Sequence, residues 1–415
     1  MKVLGLVVEY NPFHNGHLYH LSKSKEKAGA DHVVCVMSGN YVQRGEAAVV
    51  NKWARARIAL LCGADLVIEL PAVYAMSSAE YFAFGAVSIL DSLNIVDCIS
   101  FGSESGTIDE LSYIADILIT EPEGYKNHLK ESLNLGLSYP AAREKAIKQF
   151  GKSQNEDYSA YLSSSNNILG IEYLKALKKL NSKIQPIKIE RIANSHNSNE
   201  LTGSISSASA IRIHMQESSR TTLSGLSEAL PEPCLSVLKE EFASGRGPVF
   251  SDAYESIILS CLRKMTLSEI KELPYVSEGM ENRIKKAAEN SGTLSGLIER
   301  ASTKRYTQTR IQRALFSILT GLKANELETF TNAGGPQYIK VLGFNSKGRN
   351  LLAKANKKAN LPIIIKTADF KNSCNPLVKR MLEIESSSTD IYVLGYQNPE
   401  FRKAGQEFTQ NIVRV

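Results

Sequence analysis

The stretch that decides the fold of this chain is Val3-Leu4-Gly5-Leu6-Val7-Val8-Glu9-Tyr10-Asn11-Pro12-Phe13-His14-Asn15-Gly16-His17. Its first half is a short apolar run rich in β-branched residues, which is typical of a central strand in a parallel sheet. Asn11-Pro12 ends the strand, because proline has no N–H and cannot continue the interior of a sheet. The pattern predicts a buried strand, a turn, and a helix that begins near Asn15 and runs through Leu21.

His14 and His17 are three residues apart and therefore project from one face of the predicted helix. The N-terminus of a helix carries unpaired N–H groups and a partial positive charge, and so it attracts phosphate. Two imidazoles add hydrogen-bond donors, and Gly16 removes a side chain where a ligand approaches the backbone. The sequence therefore predicts a phosphate-binding site at the start of the first helix.

Two other interpretations of these histidines are open at this point. They are also compatible with two surface side chains on an amphipathic helix. His14, His17 and His20 share a face, which is compatible with zinc. Zinc usually takes a carboxylate or cysteine ligand as well, and none lies at helical spacing here. We therefore predict no metal ligand among the side chains.

His14-Asn15-Gly16-His17 resembles the HxGH signature of the nucleotidyltransferase superfamily, which also includes the class I aminoacyl-tRNA synthetases. In that superfamily the motif follows a strand and opens a helix, as this context predicts. A second stretch, Ile205-Ser206-Ser207-Ala208-Ser209-Ala210-Ile211-Arg212, has serines at a predicted helix start and an arginine one turn later. It resembles the second phosphate motif of the superfamily, so Ser206 and Ser207 are candidate ATP ligands. Without the upstream histidines, a plain helix N-cap would be the favoured interpretation.

The composition sets limits on the protein class. The chain has 415 residues, 43% hydrophobic and 22% charged, which is enough for two or three domains. No apolar run approaches the ~20 residues of a membrane span. Six cysteines without a CxxC pair favour a reducing cytoplasm over a disulfide framework. The net charge of +6 suits a polyanionic partner without requiring one.

Strands and helices alternate through the first half of the chain. Apolar runs at 32–37, 65–70, 96–101 and 184–192 predict further strands. This alternation predicts right-handed βαβ units and a Rossmann-like parallel sheet of the nucleotidyltransferase type, covered on both faces. Ligands of such sheets bind beyond the carboxyl ends of the strands. Gly102, directly after the fourth predicted strand, is therefore a candidate contact for a base or ribose, although a simple turn also favours glycine.

The second half has a different character. Residues 252–321 have apolar side chains at helical spacing, and strands are predicted at 338–344, 361–365 and 391–394 around a basic helix. Cations interleaved with Tyr306 fit contact with an RNA backbone plus base stacking, although a solvated helix face would have the same composition. These cations are Arg283, Lys285, Lys286, Arg300, Lys304, Arg305, Arg310 and Arg313.

We therefore predict an α/β protein with three parts. Residues 1–220 are a nucleotidyltransferase-like ATP-binding catalytic domain, and the polar segment 218–227 marks its boundary. Residues 221–330 are a helical basic domain. Residues 331–415 are a small α/β C-terminal module that packs with the helical domain.

One bacterial family combines these motifs. The motifs are residues 7–17, Gln43-Arg44-Gly45-Glu46, Asn51-Lys52-Trp53-Ala54-Arg55, Gly102 and 206–212. Together they resemble the tRNA(Met) cytidine acetate ligase family, and the resemblance extends over the full length of the chain. The resemblance implies a cytoplasmic ligase that activates acetate with ATP, supplied as MgATP, to give acetyl-adenylate. It further implies acetyl transfer to N4 of the wobble cytidine of elongator tRNA(Met), which gives N4-acetylcytidine.

The resemblance also implies site residues. His14 and His17 are the expected catalytic pair, because donors at the α-phosphate stabilise charge that builds up during adenylation. The loop Ala193-Asn194-Ser195-His196 departs from the glycine and aromatic residue usual in relatives, and we give it no role. From the basic cluster we predict tRNA contacts at Arg305, Arg310 and Arg313. The implied ATP site consists of Val7, Val8, Glu9, Tyr10, Asn11, Pro12, Phe13, His14, Asn15, Gly16, His17, Leu18, Tyr19, His20, Gly102, Asn166 and Arg191, with Ser206 and Ser207 from the second motif.

Two other functions fit the same motifs. A cofactor adenylyltransferase that uses a small phosphorylated acceptor would need both motifs but not the large basic half. A tRNA-binding protein with a vestigial nucleotide site would not need intact histidines and serines. We expect tRNA and acetate as partners, and neither DNA nor a membrane. The residues alone do not define the acyl specificity, the tRNA and base, or the oligomeric state.

Overall fold

A computed structural model of the chain describes residues 1–152, 158, 161–162, 164–190, 201, 203–217, 223–370 and 373–415. The strands in these residues are β1 (Val3–Val8), β2 (His32–Ser38), β3 (Tyr41–Val42), β4 (Glu46–Ala47), β5 (Leu66–Leu70), β6 (Cys98–Ser103), β7 (Gln185–Glu190), β8 (Ile339–Phe344), β9 (Ile363–Ile364) and β10 (Val413–Arg414). The helices are α1 (Asn15–Ala28), α2 (Lys52–Leu61), α3 (Ala72–Ala75), α4 (Ala79–Ser92), α5 (Ile108–Thr120), α6 (Glu123–Asn134), α7 (Tyr139–Lys152), α8 (Ser165–Lys179), α9 (Ala208–Glu217), α10 (Glu232–Ala243), α11 (Glu255–Lys264), α12 (Leu267–Lys271), α13 (Met280–Glu289), α14 (Leu294–Ala301), α15 (Gln308–Thr320), α16 (Ala324–Asn332), α17 (Ser346–Lys358), α18 (Pro376–Tyr392) and α19 (Gln406–Thr409).

The N-terminal strands form a parallel sheet in the order β5-β2-β1-β6-β7, with β1 in the centre. Leu4 and Leu6 of β1 are fully buried, because helices cover the sheet and strands flank β1 on both sides. The sequence of a strand in a parallel sheet that is covered on both faces is a continuous apolar run, as it is in β1. The predicted Rossmann-like α/β fold is therefore confirmed.

The C-terminal region extends this sheet. β8 pairs antiparallel with β5, and β9 and β10 pair parallel with β8. Residues 331–415, predicted as a separate α/β module, therefore share the sheet of the catalytic region. The strand predicted at 391–394 is helical instead, since α18 continues to Tyr392 and a 3-10 turn spans Val393–Gly395. Tyr392 and Val393 of this run are buried in the core of the helical region, so its apolar character reflects burial on a helix.

Helices pack on both faces of the sheet. α4, α5, α8 and α18 contribute to the core on one face, and α1, α2, α9 and α10 to the core on the other. α11 through α15 enclose a third core, as the helical pattern over 252–321 predicts. In the described part of the chain, no helix has the length and apolar character that crossing a bilayer requires.

Candidate functional site

The two histidines cap the first helix. His14 is the N-cap residue of α1, with an extended backbone (φ −140°, ψ 173°). Its Nδ1 accepts a hydrogen bond from the backbone N–H of Gly16 at 3.1 Å. Nδ1 of His17 accepts from the backbone N–H of His14 at 3.3 Å. This is the reciprocal arrangement that a serine and a glutamate usually make at a helix start. The two rings stack with centroids 3.7 Å apart.

These hydrogen bonds decide where each imidazole carries its proton. A ring nitrogen that accepts a hydrogen bond is unprotonated, so the neutral ring holds its proton on Nε2. His14 and His17 therefore each have an Nε2–H donor at the N-terminus of α1. A doubly protonated ring would lose the Nδ1 contact. The geometry thus favours hydrogen-bond donation through Nε2 of each ring.

Two aromatic side chains pack against His17 of the histidine pair. The ring centroid of Tyr10 lies 5.1 Å from that of His17, and the centroid of Phe13 lies 5.7 Å from it. Both aromatic rings are buried. Tyr10 has φ of +50°, in the left-handed region that non-glycine residues rarely adopt. Such backbone conformations are concentrated at functional sites, where the surrounding structure holds them.

The second predicted motif lies against the first. α9 follows Ser207, whose Oγ accepts from Ala210 N at 3.0 Å, while Ser206 Oγ donates to a backbone carbonyl at 3.1 Å. Asn15 Nδ2 donates to the carbonyl of Ser204 at 2.9 Å. The structure therefore brings the serine-rich helix start to the start of α1.

Arg212 ties this motif to the turn before the histidines. One of its guanidinium nitrogens donates to the carbonyl of Asn11 at 3.0 Å, and the other to the carboxylate of Glu46 at 2.8 Å. The Asn11 side chain in turn accepts from Val49 N at 2.8 Å. The arginine that ends the second motif thus holds the turn rather than projecting into solution.

The structure brings Asn166 to the end of β6. Gly102 lies within β6, paired with Ile189 of β7, and not after the strand as predicted. The strand ends two residues later than predicted, because its pairing with β7 continues to Ser103. The carboxylate of Glu104 then accepts from Asn166 Nδ2 and, at 2.7 Å, from Ser164 Oγ. Since β6 neighbours β1, these residues lie at the same edge of the sheet as the histidines. Arg191 and the loop 193–196 lie outside the described residues.

Two buried residues that sequence reasoning missed hold the exit loops. Asn167 accepts from Ser103 Oγ at 2.7 Å and donates to Ser105 Oγ at 2.9 Å, which fixes the end of β6. Its place in the Ser-Asn-Asn helix start was the available signal. Arg55 donates to the carbonyls of Glu9 at 2.7 Å and of Gly39, which joins the exits of β1 and β2. Burial lowers the pKa of Arg55 to about 10.

The carboxylates beside the histidines are already engaged. Glu9 is partly buried and accepts from Gln43 N at 2.8 Å, and desolvation raises the pKa of its carboxyl. Glu46 pairs with Arg212. Neither one therefore offers an open ligand for a metal ion.

A buried ionic cluster lies where the C-terminal region joins the sheet. Three carboxylates, Glu69, Glu385 and Glu407, come within the range of one metal ion. Lys52 Nζ lies 2.6 Å from Glu69 and 3.0 Å from Glu385, and it also contacts Glu407. Lys340 Nζ lies 3.0 Å from Glu69 and also contacts Glu407. The two ammonium groups occupy the positions among the carboxylates that a bound metal ion would need. The cluster therefore consists of ion pairs.

The three arginines predicted to bind tRNA differ in their surroundings. Arg305 is 47% exposed and pairs with Glu278 at 2.8 Å. Arg310 donates to the carbonyl of Tyr275 at 2.9 Å and is half-buried. Arg313 lies over the ring of Tyr275, 5.2 Å from its centroid, and burial lowers the pKa of its guanidinium. Arg310 and Arg313 thus have packing roles, and their contact with tRNA stays a prediction.

Known proteins match the chain in sequence and in fold. The HIGH Nucleotidyl Transferase family matches residues 1–407. The tRNA(Met) cytidine acetate ligase of Acetivibrio thermocellus is 56% identical over 414 residues, and that of a Thermoanaerobacter species is 45% identical over 416 residues; both alignments cover 100% of each chain. The crystal structure of Thermotoga maritima TmcAL bound with alpha-thio ATP has a TM-score of 0.93 at 38% identity, covering 100% of both chains. The apo form of that protein has a TM-score of 0.95 at 37% identity, with the same coverage.

Proposed function

This chain belongs to the tRNA(Met) cytidine acetate ligase family, and on that premise we propose that it joins acetate to N4 of the wobble cytidine of elongator tRNA(Met) at the expense of ATP. The observation that supports this most directly is the stacked pair His14 and His17 at the N-terminus of α1. An ATP analogue is bound in the Thermotoga maritima neighbour, which has the same fold.

In the first step, an acetate oxygen attacks the α-phosphorus of ATP, and the bond to the pyrophosphate oxygen breaks. The products are acetyl-adenylate and pyrophosphate. Negative charge accumulates on the α-phosphate oxygens in the transition state, where fixed donors stabilise it more than they stabilise bound ATP. His14 Nε2–H, His17 Nε2–H and the N-terminus of α1 are such donors. No base is needed, because acetate is ionised at neutral pH.

In the second step, the cytidine N4 amine attacks the acetyl carbonyl, and AMP leaves. This step depends mainly on holding the adenylate and the base in register, which lowers the entropic barrier. Arg55 and Asn167 hydrogen-bond to residues at the carboxyl ends of β1, β2 and β6. These hydrogen bonds hold the loops that would contact the nucleotide in place. We propose that the ATP contacts are those expected from the resemblance: residues 7–20, Gly102, Asn166, Arg191, Ser206 and Ser207.

Magnesium fits this site only as part of MgATP. Glu9 accepts a backbone N–H and Glu46 pairs with Arg212, so these two carboxylates, among the side chains that the structure describes, do not form a dedicated metal site. When bound through the phosphates, the ion would neutralise charge on the leaving pyrophosphate. We assign no step of the protein's own chemistry to it.

For tRNA, we propose that the exposed part of the predicted basic cluster makes phosphate contacts. Arg305 is the arginine of the three with the largest access to solution, whereas Arg310 and Arg313 maintain α15 and its surroundings. We also propose a cytoplasmic location, since the proposed substrate is tRNA and all six cysteines are free thiols.

The decisive experiment separates the two steps. The chain is incubated with ATP, Mg²⁺ and acetate, and pyrophosphate is measured; labelled acetate and elongator tRNA(Met) are then added, and acetyl incorporation is measured. We expect acetate-dependent pyrophosphate release without tRNA, followed by incorporation at the wobble cytidine. Release that depends on a phosphorylated small acceptor instead would indicate a cofactor adenylyltransferase. Binding of tRNA without any release would indicate a vestigial nucleotide site.

Gly16 provides a conformational test of the histidine pair. A Cβ on Gly16 would lie 2.9 Å from His14 Cε1 and 3.0 Å from His14 Nδ1, so an added methyl group must displace the ring. We expect Gly16→Ala to lower pyrophosphate release at least about tenfold, because a displaced donor loses part of its transition-state interaction. Stability should change little, because the lost cap and alanine's better helix propensity are each worth about 1 kcal/mol. Urea unfolding and steady-state release check both expectations, and a normal rate would contradict the first.

A further inference from the structure

The hairpin formed by β3 and β4 lies between the histidine site and the basic helical region. Its strands pair Tyr41 with Ala47 and Val42 with Glu46, which leaves Gln43, Arg44 and Gly45 as the loop. Gly45 N donates to the carbonyl of Val42 at 2.9 Å, and Gly45 has φ of +74°. This is the three-residue hairpin loop in which the last position adopts the left-handed conformation that glycine favours. The loop conformation is therefore well defined.

On one side, the hairpin is fastened to the turn that leads to the histidines. The N–H of Gln43 donates to the partly buried carboxylate of Glu9 at 2.8 Å. Glu46 accepts from Arg212, which also donates to the carbonyl of Asn11. The residues on both sides of the loop tip thus connect to the segment between β1 and His14. Any shift of the tip would disturb the nucleotide site.

On the other side, the hairpin packs directly on α15. A Cβ on Gly45 would lie 2.5 Å from the backbone nitrogen of Arg313, so no larger residue fits between the two backbones. The Tyr41 ring, on β3, contacts the ring of Phe316 on α15 with centroids 5.9 Å apart. The loop therefore bridges the sheet and α15, the helix that carries Arg310 and Arg313.

Arg44 is the one residue of the loop whose side chain is exposed. Its guanidinium makes no hydrogen bond or ion pair within the described residues, in contrast to Arg305, which pairs with Glu278. A guanidinium is well suited to phosphate, because its planar fork of donors makes bidentate charge-assisted contacts. Among the described residues, Arg44 is thus an exposed, unpaired cation on a loop that contacts both the segment before His14 and α15.

We propose that Arg44 is a positioning residue that contacts an RNA phosphate beside the target cytidine and sets the base against the acetyl-adenylate. This inference depends on the proposed function, since it assigns a role in the second step of that reaction. It makes Arg44 part of the tRNA site and not of the adenylating machinery. The rigid hairpin explains why one exposed side chain would influence base placement, because its backbone cannot follow the RNA.

The test compares Arg44→Ala and Arg44→Lys with Arg349→Ala. Arg349 is exposed on α17 and likewise unpaired within the described residues, so it is a matched control for surface charge. For Arg44→Ala we expect the KM for tRNA to rise roughly tenfold, as for loss of a charge-assisted hydrogen bond. The slope of log affinity against log salt should fall by about 0.7–0.9. Arg44→Lys should retain the slope but recover only part of the KM, and Arg349→Ala should match the unaltered protein.

The readouts distinguish this inference from the proposed function. The unaltered protein must release pyrophosphate with acetate alone and must acetylate tRNA; if it does neither, the proposed function fails. If it does both and Arg44→Ala has an unchanged KM and salt slope, the positioning role is refuted. An equal loss in both steps would also refute it, because a folding or nucleotide-site defect would be responsible. The expected loss in the tRNA step exceeds any loss in the first step by about tenfold.

Discussion

Replacing either His14 or His17 by alanine should lower acetate-dependent pyrophosphate release by roughly 10²–10³-fold, the usual loss for one transition-state donor. Each ring holds its proton on Nε2, because Nδ1 is engaged with the helix backbone. Each variant therefore removes one of the two donors that we propose for the α-phosphate. Affinity for ATP should fall much less than the rate, since the donors act mainly on charge that develops during the reaction.

The helix-cap role of the two histidines must be separated from this effect. Loss of a cap costs about 1 kcal/mol, so unfolding curves should shift only slightly in both variants. His128→Ala, on α6, is the matched control and should retain the full rate. Single-turnover adenylation measured with saturating ATP gives the required rates. Near-normal release by both variants would remove the pair from the mechanism.

Lys52→Met should destabilise the protein by about 3–5 kcal/mol, which is the cost of removing one partner from a buried ion pair. Lys52 has no exposed surface and contacts Glu69, Glu385 and Glu407. Two ammonium groups face three carboxyls in this cluster. Without Lys52, a single ammonium group from Lys340 would face all three, and two carboxyls would have to take up protons or become hydrated.

The same charge count predicts an asymmetry. Burial, with the nearby Glu385 carboxyl, raises the pKa of Glu69, so Glu69 is the carboxyl that the cluster holds protonated most readily. Glu69→Gln should therefore cost less than Lys52→Met. Arg57→Met serves as the control on the same helix, because Arg57 makes an exposed ion pair with Glu240 and should change stability little. Guanidinium chloride unfolding compares the three; a smaller loss for Lys52→Met than for Glu69→Gln would contradict the assignment.

The raised pKa of Glu69 also predicts how the free energy of unfolding depends on pH. A carboxyl whose pKa is higher in the folded than in the unfolded protein stabilises the fold when protonated. Its contribution is complete below the unfolded pKa and is lost as the pH rises through the folded pKa. Glu69→Gln should therefore flatten the stability profile on that alkaline side, which unfolding curves across pH would reveal.

The sequence alone determined the N-terminal sheet and the position of the histidine pair at the start of α1. β1 is an uninterrupted apolar run followed by Asn11-Pro12, and this local signal fixes a buried strand that ends at the point where the helix begins. The spacing of His14 and His17 fixed their shared face, because helical geometry places residues three apart side by side. The family followed from the same short motifs, since each of them is contiguous in sequence.

The tertiary structure decided everything that depends on distant residues meeting. β8 and β10 join the sheet of the N-terminal half, and no local pattern in 331–415 distinguishes that pairing from a separate sheet. The Nδ1 contacts of the two histidines, and the contacts of the hairpin around Arg44 on both of its sides, likewise require three-dimensional geometry. Nothing in the sequence indicates that Lys52 and Glu407 are partners, because they are 355 positions apart along the chain. Burial against the shared sheet brings them into contact.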